Sequence, residues 1–117
     1  MKESEIRTRS KNIAVRVIEL CDTIDTRKGK DVLVKQIIRS ATSIGANAHE
    51  ANYGASKADF ICKLQIALKE CYETEYWVDM LYSVSCISKK ENDGLLVDLG
   101  VLRRMIVKAI QTAKENM

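Results

Sequence analysis

Proline is absent from the chain, and histidine, tryptophan and phenylalanine occur once each. Aromatics make up 5% of a sequence that is 46% hydrophobic, so the core has to be aliphatic. The single histidine rules out the zinc motif H-E-x-x-H that His49-Glu50 begins, because Tyr53 stands where the second histidine would be. One imidazole without partners reads as a surface or interface residue. The four cysteines, Cys21, Cys62, Cys71 and Cys86, form no C-x-x-C pair and no zinc-site spacing. They read as reduced thiols used as small buried apolar residues on helices. No apolar run approaches the roughly 18 to 20 residues of a membrane span, and no secretory leader is recognisable, so the expectation is a cytoplasmic protein without membrane contact. Neither G-x-G-x-x-G nor a P-loop occurs, and no G-x-S-x-G elbow surrounds Ser40, Ser43 or Ser56. The chain is therefore expected to be no enzyme and to need no cofactor, metal or small-molecule substrate.

What is present is helical rhythm. Ile6, Ile13, Val17, Leu20 and Ile24 recur at helical spacing and predict a first helix over about 4–24, closed by the polar segment "DTRKGK". A second helix resumes near Asp31 and runs through Leu33, Ile37, Ala41, Ile44, Ala48 and Ala51, with Gly54 placed for a left-handed cap. Ser56-Lys57-Ala58-Asp59 has the form of a capping box and opens a third helix that stays apolar on one face to about Val84. Ser88-Lys89-Lys90-Glu91 opens a fourth in the same way. Gly94 and Gly100 cost that helix roughly 1 kcal/mol each, which makes its first half the softest part. Nothing alternates with period two. At 117 residues the chain is one domain, 1–117, and helices joined by such short links must be antiparallel neighbours. The expected fold is all-α, an antiparallel up-down-up-down four-helix bundle.

Charge is unevenly placed. Residues 1–30 hold eight basic and five acidic side chains, residues 31–117 eleven of each, so the whole net charge of +3 lies in the N-terminal segment. Lys2, Arg7, Arg9, Lys11 and Arg16 are the candidate phosphate contacts for an RNA or nucleoprotein partner, with no base-reading motif among them. The competing reading is a protein-only scaffold on which these are ordinary solvated charges.

A second pattern is polar and periodic. Arg39, Ser43, Asn47 and Glu50 form one stripe along the second helix, and Glu70, Glu73 and Trp77 one along the third. A hairpin reversing near Gly54 sets Arg39 level with Glu70 and Glu73, which predicts a partly buried ion pair. Between them, Ser40, Ala41, Ser43, Gly45, Ala46 and Ala48 shorten the side chains at mid-helix. Small residues on more than one face imply close approach to a neighbouring helix and to a second subunit, leaving no cleft for chemistry. Trp77, Tyr76 and Tyr82 serve either that interface or the home core.

The runs "RSATSIGANAHEA" and "SKADFICKLQIALKECYETEYWVDML" resemble the four-helix-bundle proteins encoded in intervening sequences of 23S ribosomal RNA genes. The family pattern falls on Arg39, Ser40, Ser43, Ile44, Ala46, Asn47 and Glu50, then on Ser56, Asp59, Phe60, Ala67, Leu68, Lys69, Glu70, Glu73, Thr74 and Trp77. The resemblance implies a bacterial cytosolic bundle that assembles as a homopentamer. A related branch, the accessory variability determinant of diversity-generating retroelements, is a more basic pentamer that binds nucleic acid.

Overall fold

The computed structural model describes residues 2–117 in backbone and 5–117 in side chain. Four helices account for the architecture: α1 Lys2–Cys21, α2 Lys30–Ala51, α3 Lys57–Ser83 and α4 Lys89–Glu115. Each touches its two neighbours, α1 against α2 and α4, α3 against α2 and α4, and among the described residues no diagonal pair meets. The helix direction alternates, as cross-helix contacts that pair rising with falling numbers show. Glu50 meets Lys63 while Arg39 meets Glu73, and Lys57 meets Asn116 while Arg103 meets Glu75. The result is an antiparallel four-helix bundle 49 Å long.

The predicted apolar stripes are the core. Ile6, Ile13 and Val17 of α1, Ile37, Ala41 and Ile44 of α2, Leu64, Cys71 and Val78 of α3, and Leu95, Leu99, Leu102 and Ile106 of α4 are all buried. The first helix ends earlier than its rhythm predicts. After Cys21 the chain tightens to i→i−3 bonds, Thr23 to Leu20 and Ile24 to Cys21, and this turn carries Ile24 into the core although it is no longer α-helical.

The termini correct two expectations. α2 stops in a 3₁₀ tail, with Asn52, Tyr53 and Gly54 donating to the carbonyls three residues back, and Gly54 is not left-handed. Glycine is required there for space: a Cβ would lie 3.0 Å from Asp59 Cβ and 3.2 Å from the Phe60 nitrogen. The left-handed positions are Lys28, Gly29 and Ser85. Ser85 closes α3 in a Schellman turn, in which Cys86 N–H donates to the Leu81 carbonyl at 2.8 Å. The box at Ser88 and Glu91 is complete. At α3 it is shifted: Ser56 accepts from Asp59 N–H, but the Asp59 carboxylate accepts from Ala55 N–H instead of Ser56.

Of the cysteines, Cys21 and Cys71 are buried, Cys86 is half-buried and Cys62 is exposed, contrary to the expectation of four core thiols. Cys62 projects outward because the buried positions on that stretch of α3 are Ile61 and Leu64. Burial pushes the Cys71 thiol up to about 12 and Cys21 to about 11.

Two predictions follow from the backbone and the thiols. Ser85→Gly should stabilise the fold by about 1 kcal/mol by removing the left-handed penalty of a side chain. Gly45→Ala, whose Cβ would meet Ser10 Oγ at an ordinary 3.5 Å, should stabilise by a similar amount, about 1 kcal/mol, while Gly54→Ala should destabilise. Urea unfolding followed by circular dichroism measures all three. Because the folded thiols of Cys21 and Cys71 hold their protons above the ordinary value of 9.0, their contribution is intact below that pH. Stability should then fall between pH 9 and 11, by up to about 1.4 kcal/mol per pH unit for each thiol, and Cys71→Ala should flatten the decline. Thermal melts across that range read it.

Candidate functional site

The α2–α3 seam carries the predicted polar stripe. Arg39 reaches both carboxylates, bonding Glu73 through Nη2 and lying 3.4 Å from Glu70 through Nη1, while its Nε donates to Gln36 at 3.2 Å. Glu73 also accepts from the Trp77 indole at 3.1 Å, so one carboxylate joins two helices and fixes the only tryptophan. Trp77 packs partly buried against the core. Tyr76, edge-on to it at 4.9 Å, and Tyr82 are exposed. Further along the stripe, Asn47 donates to Ser43 O and Oγ at 2.9 and 3.1 Å, and Lys63 bonds Glu50 at 3.0 Å. Beneath this surface the buried hydroxyls of Ser40 and Thr74 are hydrogen-bonded at 2.9 Å.

The small residues of α2 therefore serve two neighbours. Ser40 is fully buried where α3 approaches, Ala41 is fully buried in the core, and Gly45 faces Ser10 of α1. Ser10 is itself buried without cost, since its hydroxyl donates to the Ile6 and Arg7 carbonyls. Contrary to expectation the packing does leave a cleft. Between α1 and α2 lies an open groove of about 380 Å³ floored by Ala14, Gly45 and Ala46, with Ser10 and Thr42 beside them. Ala46 is exposed there instead of buried in a contact.

Arg7, Lys11 and His49 rim this groove. Arg7 and Lys11 are one turn apart on the same face of α1. Arg9 and Arg16 sit roughly half a turn around and are engaged elsewhere, Arg9 with Glu5 at 3.4 Å and Arg16 with Asp98 of α4. The Lys2 side chain lies outside the described residues. The five N-terminal cations thus do not form one patch. Only Arg7 and Lys11 converge, and among the described residues neither makes an ion pair.

His49 and Tyr53 were not legible as part of a site. The same register argument that pairs Arg39 with Glu73, applied to the first hairpin about Lys28-Gly29, sets Arg7 opposite His49 and Lys11 opposite Gly45. His49 packs against Tyr53 with ring centroids 5.2 Å apart and planes tilted by 58°, and Tyr53 is 74% exposed. Of two other clefts, that between α1 and α4 sets Glu19 and Glu91 beside Arg16, and that at the loop end is also basic, with Arg27, Lys28 and Lys30 around Asp25. No helix among the described residues is long and apolar enough to cross a membrane, and no group of three or more His, Cys, Asp or Glu is placed to hold a metal ion.

The Arg39–Glu73 pair is half-exposed, so its coupling should be modest. A double-mutant cycle of Arg39→Gln and Glu73→Gln is expected to give about 0.5 to 1 kcal/mol, decreasing with salt. Urea unfolding read by Trp77 fluorescence measures it, and Glu73→Gln alone should shift the native emission.

The chain is 37% identical to a protein of unknown function from the S23 ribosomal protein family of Bacteroides thetaiotaomicron. The match covers 95% of this chain and 99% of that one, with a TM-score of 0.87. Among curated proteins none matches. The family model described as 23S rRNA-intervening sequence protein matches residues 2–108. With that match spanning nearly the whole bundle, the chain belongs to the 23S rRNA-intervening sequence protein family.

Proposed function

We propose that the protein is a non-enzymatic, self-associating helical bundle of the bacterial cytoplasm that binds RNA or a nucleoprotein weakly, through charge. The observation that carries this reading is the convergence of Arg7 and Lys11 on one face with no ion pair to a carboxylate among the described residues, in the segment that holds the chain's net charge. Cations left unpaired by their own fold are available to phosphates, and releasing counterions from the polyanion supplies the affinity. Self-association is supported by exposed apolar side chains, Tyr72 and Tyr76 on α3 and Val97 on α4, and the family resemblance puts the subunit number at five. Those same side chains favour the second reading, a scaffold that binds only protein.

Light scattering coupled to gel filtration should give a mass about five times that of the 13.2 kDa chain. In the same buffer, a labelled RNA should bind at low salt and lose most of its affinity between about 50 and 200 mM, each phosphate contact contributing about 0.7 to the slope of log K against log salt. An RNA that stays unbound at the lowest salt leaves the scaffold.

A further inference from the structure

We infer that the α1–α2 groove is a binding site for single-stranded RNA, with phosphates against Arg7 and Lys11 and a base against the His49–Tyr53 aromatic pair. This rests on the RNA-binding reading above and assigns it a place and a strand form.

Three observations converge on that occupant. The first is charge: among the described residues the groove is lined by Arg7, Lys11 and His49 and by no carboxylate, whereas the α1–α4 cleft sets Glu19 and Glu91 beside Arg16, and the loop-end cleft, basic through Arg27, Lys28 and Lys30, already pairs Arg27 with Asp25. Three of the four helix seams carry a cross-helix ion pair, Arg16–Asp98, Arg39–Glu73 and Arg103–Glu75, and among the described residues the α1–α2 seam carries none. A polyanion is the complement of such a seam. The second is shape. The floor of Ala14, Gly45 and Ala46 is free of long side chains and the volume is of the size that takes a small organic group. Duplex RNA presents its phosphates on the outside of a wide rod with its bases stacked away, so a narrow groove admits a flexible strand and not a helix. The third is the aromatic pair at the groove's end. A tyrosine 74% exposed beside an imidazole offers a face on which an unstacked base can lie.

A second copy of the chain is the competing occupant, and the test separates the two. Fluorescence anisotropy of a labelled single-stranded oligouridylate is measured with the full chain at low salt, alongside light scattering for subunit number. Arg7→Gln and Lys11→Gln should each weaken binding several-fold and lower the salt slope by about 0.7. Tyr53→Leu should weaken it about fivefold or more at unchanged salt slope. Arg9→Gln and Arg16→Gln, on the far side of α1, should leave affinity within about twofold, and a duplex of the same length should bind more weakly than the single strand. Ala46→Met, which fills the groove from an exposed helical position, should abolish RNA binding while the mass is unchanged. If Ala46→Met instead breaks the oligomer, the groove holds a subunit and the inference fails. If wild type binds but the Arg7 and Lys11 variants behave like those at Arg9 and Arg16, the site is wrong although the RNA reading survives. If wild type binds no RNA at all, both fail together.

Discussion

Burial of one aliphatic stripe from each of four helices is the constraint on which everything else depends. With few aromatics to bridge gaps, Ile, Leu, Val and Ala must interdigitate at close range, and that fixes the rotation of each helix about its own axis. Once Ile37, Ile44 and Ala48 face inward, Arg39, Ser43 and Asn47 have no choice but to lie along the α3 seam, and Thr42 and Ala46 along the α1 side. The positions of the polar groups are consequences of the apolar ones.

Helix α2 bears the most of this constraint because it is held on both flanks. Toward α3 it presents Ser40, whose hydrogen bond with Thr74 lets two buried hydroxyls sit where a larger apolar pair would push the helices apart. Toward α1 it presents Gly45, whose contact is with Ser10, a residue that satisfies its own hydroxyl on its own helix. The two flanks differ in outcome. On the α3 side the surface above the small residues is roofed by the Arg39, Glu73 and Trp77 network. On the α1 side no such side chains meet across the seam, and the short residues remain as the floor of a groove.

The bundle, the two serine caps and the Arg39 pairing were legible because each is local or one step from local. Apolar spacing sets the helix face, Ser-x-x-Glu sets a terminus, and a tight reversal sets which residues stand level. The groove was not legible for a physical reason. Small residues look alike in sequence whether a neighbour covers them, as at Ser40 and Ala41, or stands off, as at Ala46. The difference is made by the partner helix, where Ser10 and Ala14 are short and Arg7 and Lys11 point along the rim. The helix ends were illegible for a related reason. A 3₁₀ tail keeps Ile24 in the core after α1 has ended, and Ser85 adopts the left-handed turn that glycine usually marks. Cys62 shows the limit of composition: its type favours burial, but the phase set by Ile61 and Leu64 turns it outward.

Charge placement follows from the same geometry. A cation beside a neighbouring helix's carboxylate contributes little to the field at a distance, because the pair is close to neutral beyond its own length. Arg16, Arg39, Lys63 and Arg103 are all cancelled in this way across three seams. The excess of basic over acidic residues in the first thirty positions is therefore left in two places, with Arg7 and Lys11 on the face where α1 meets α2 and Lys28 and Lys30 at the loop end. If subunits assemble in a closed ring, symmetry repeats that face once per subunit at equal spacing. A flexible polyanion crossing several such faces would gain from each contact the modest affinity that two cations supply, and the product over faces is far larger than any one of them. Weak charge per chain and useful binding by the assembly are then compatible, and a monomeric variant with an intact groove would be expected to lose most of the affinity without losing the site.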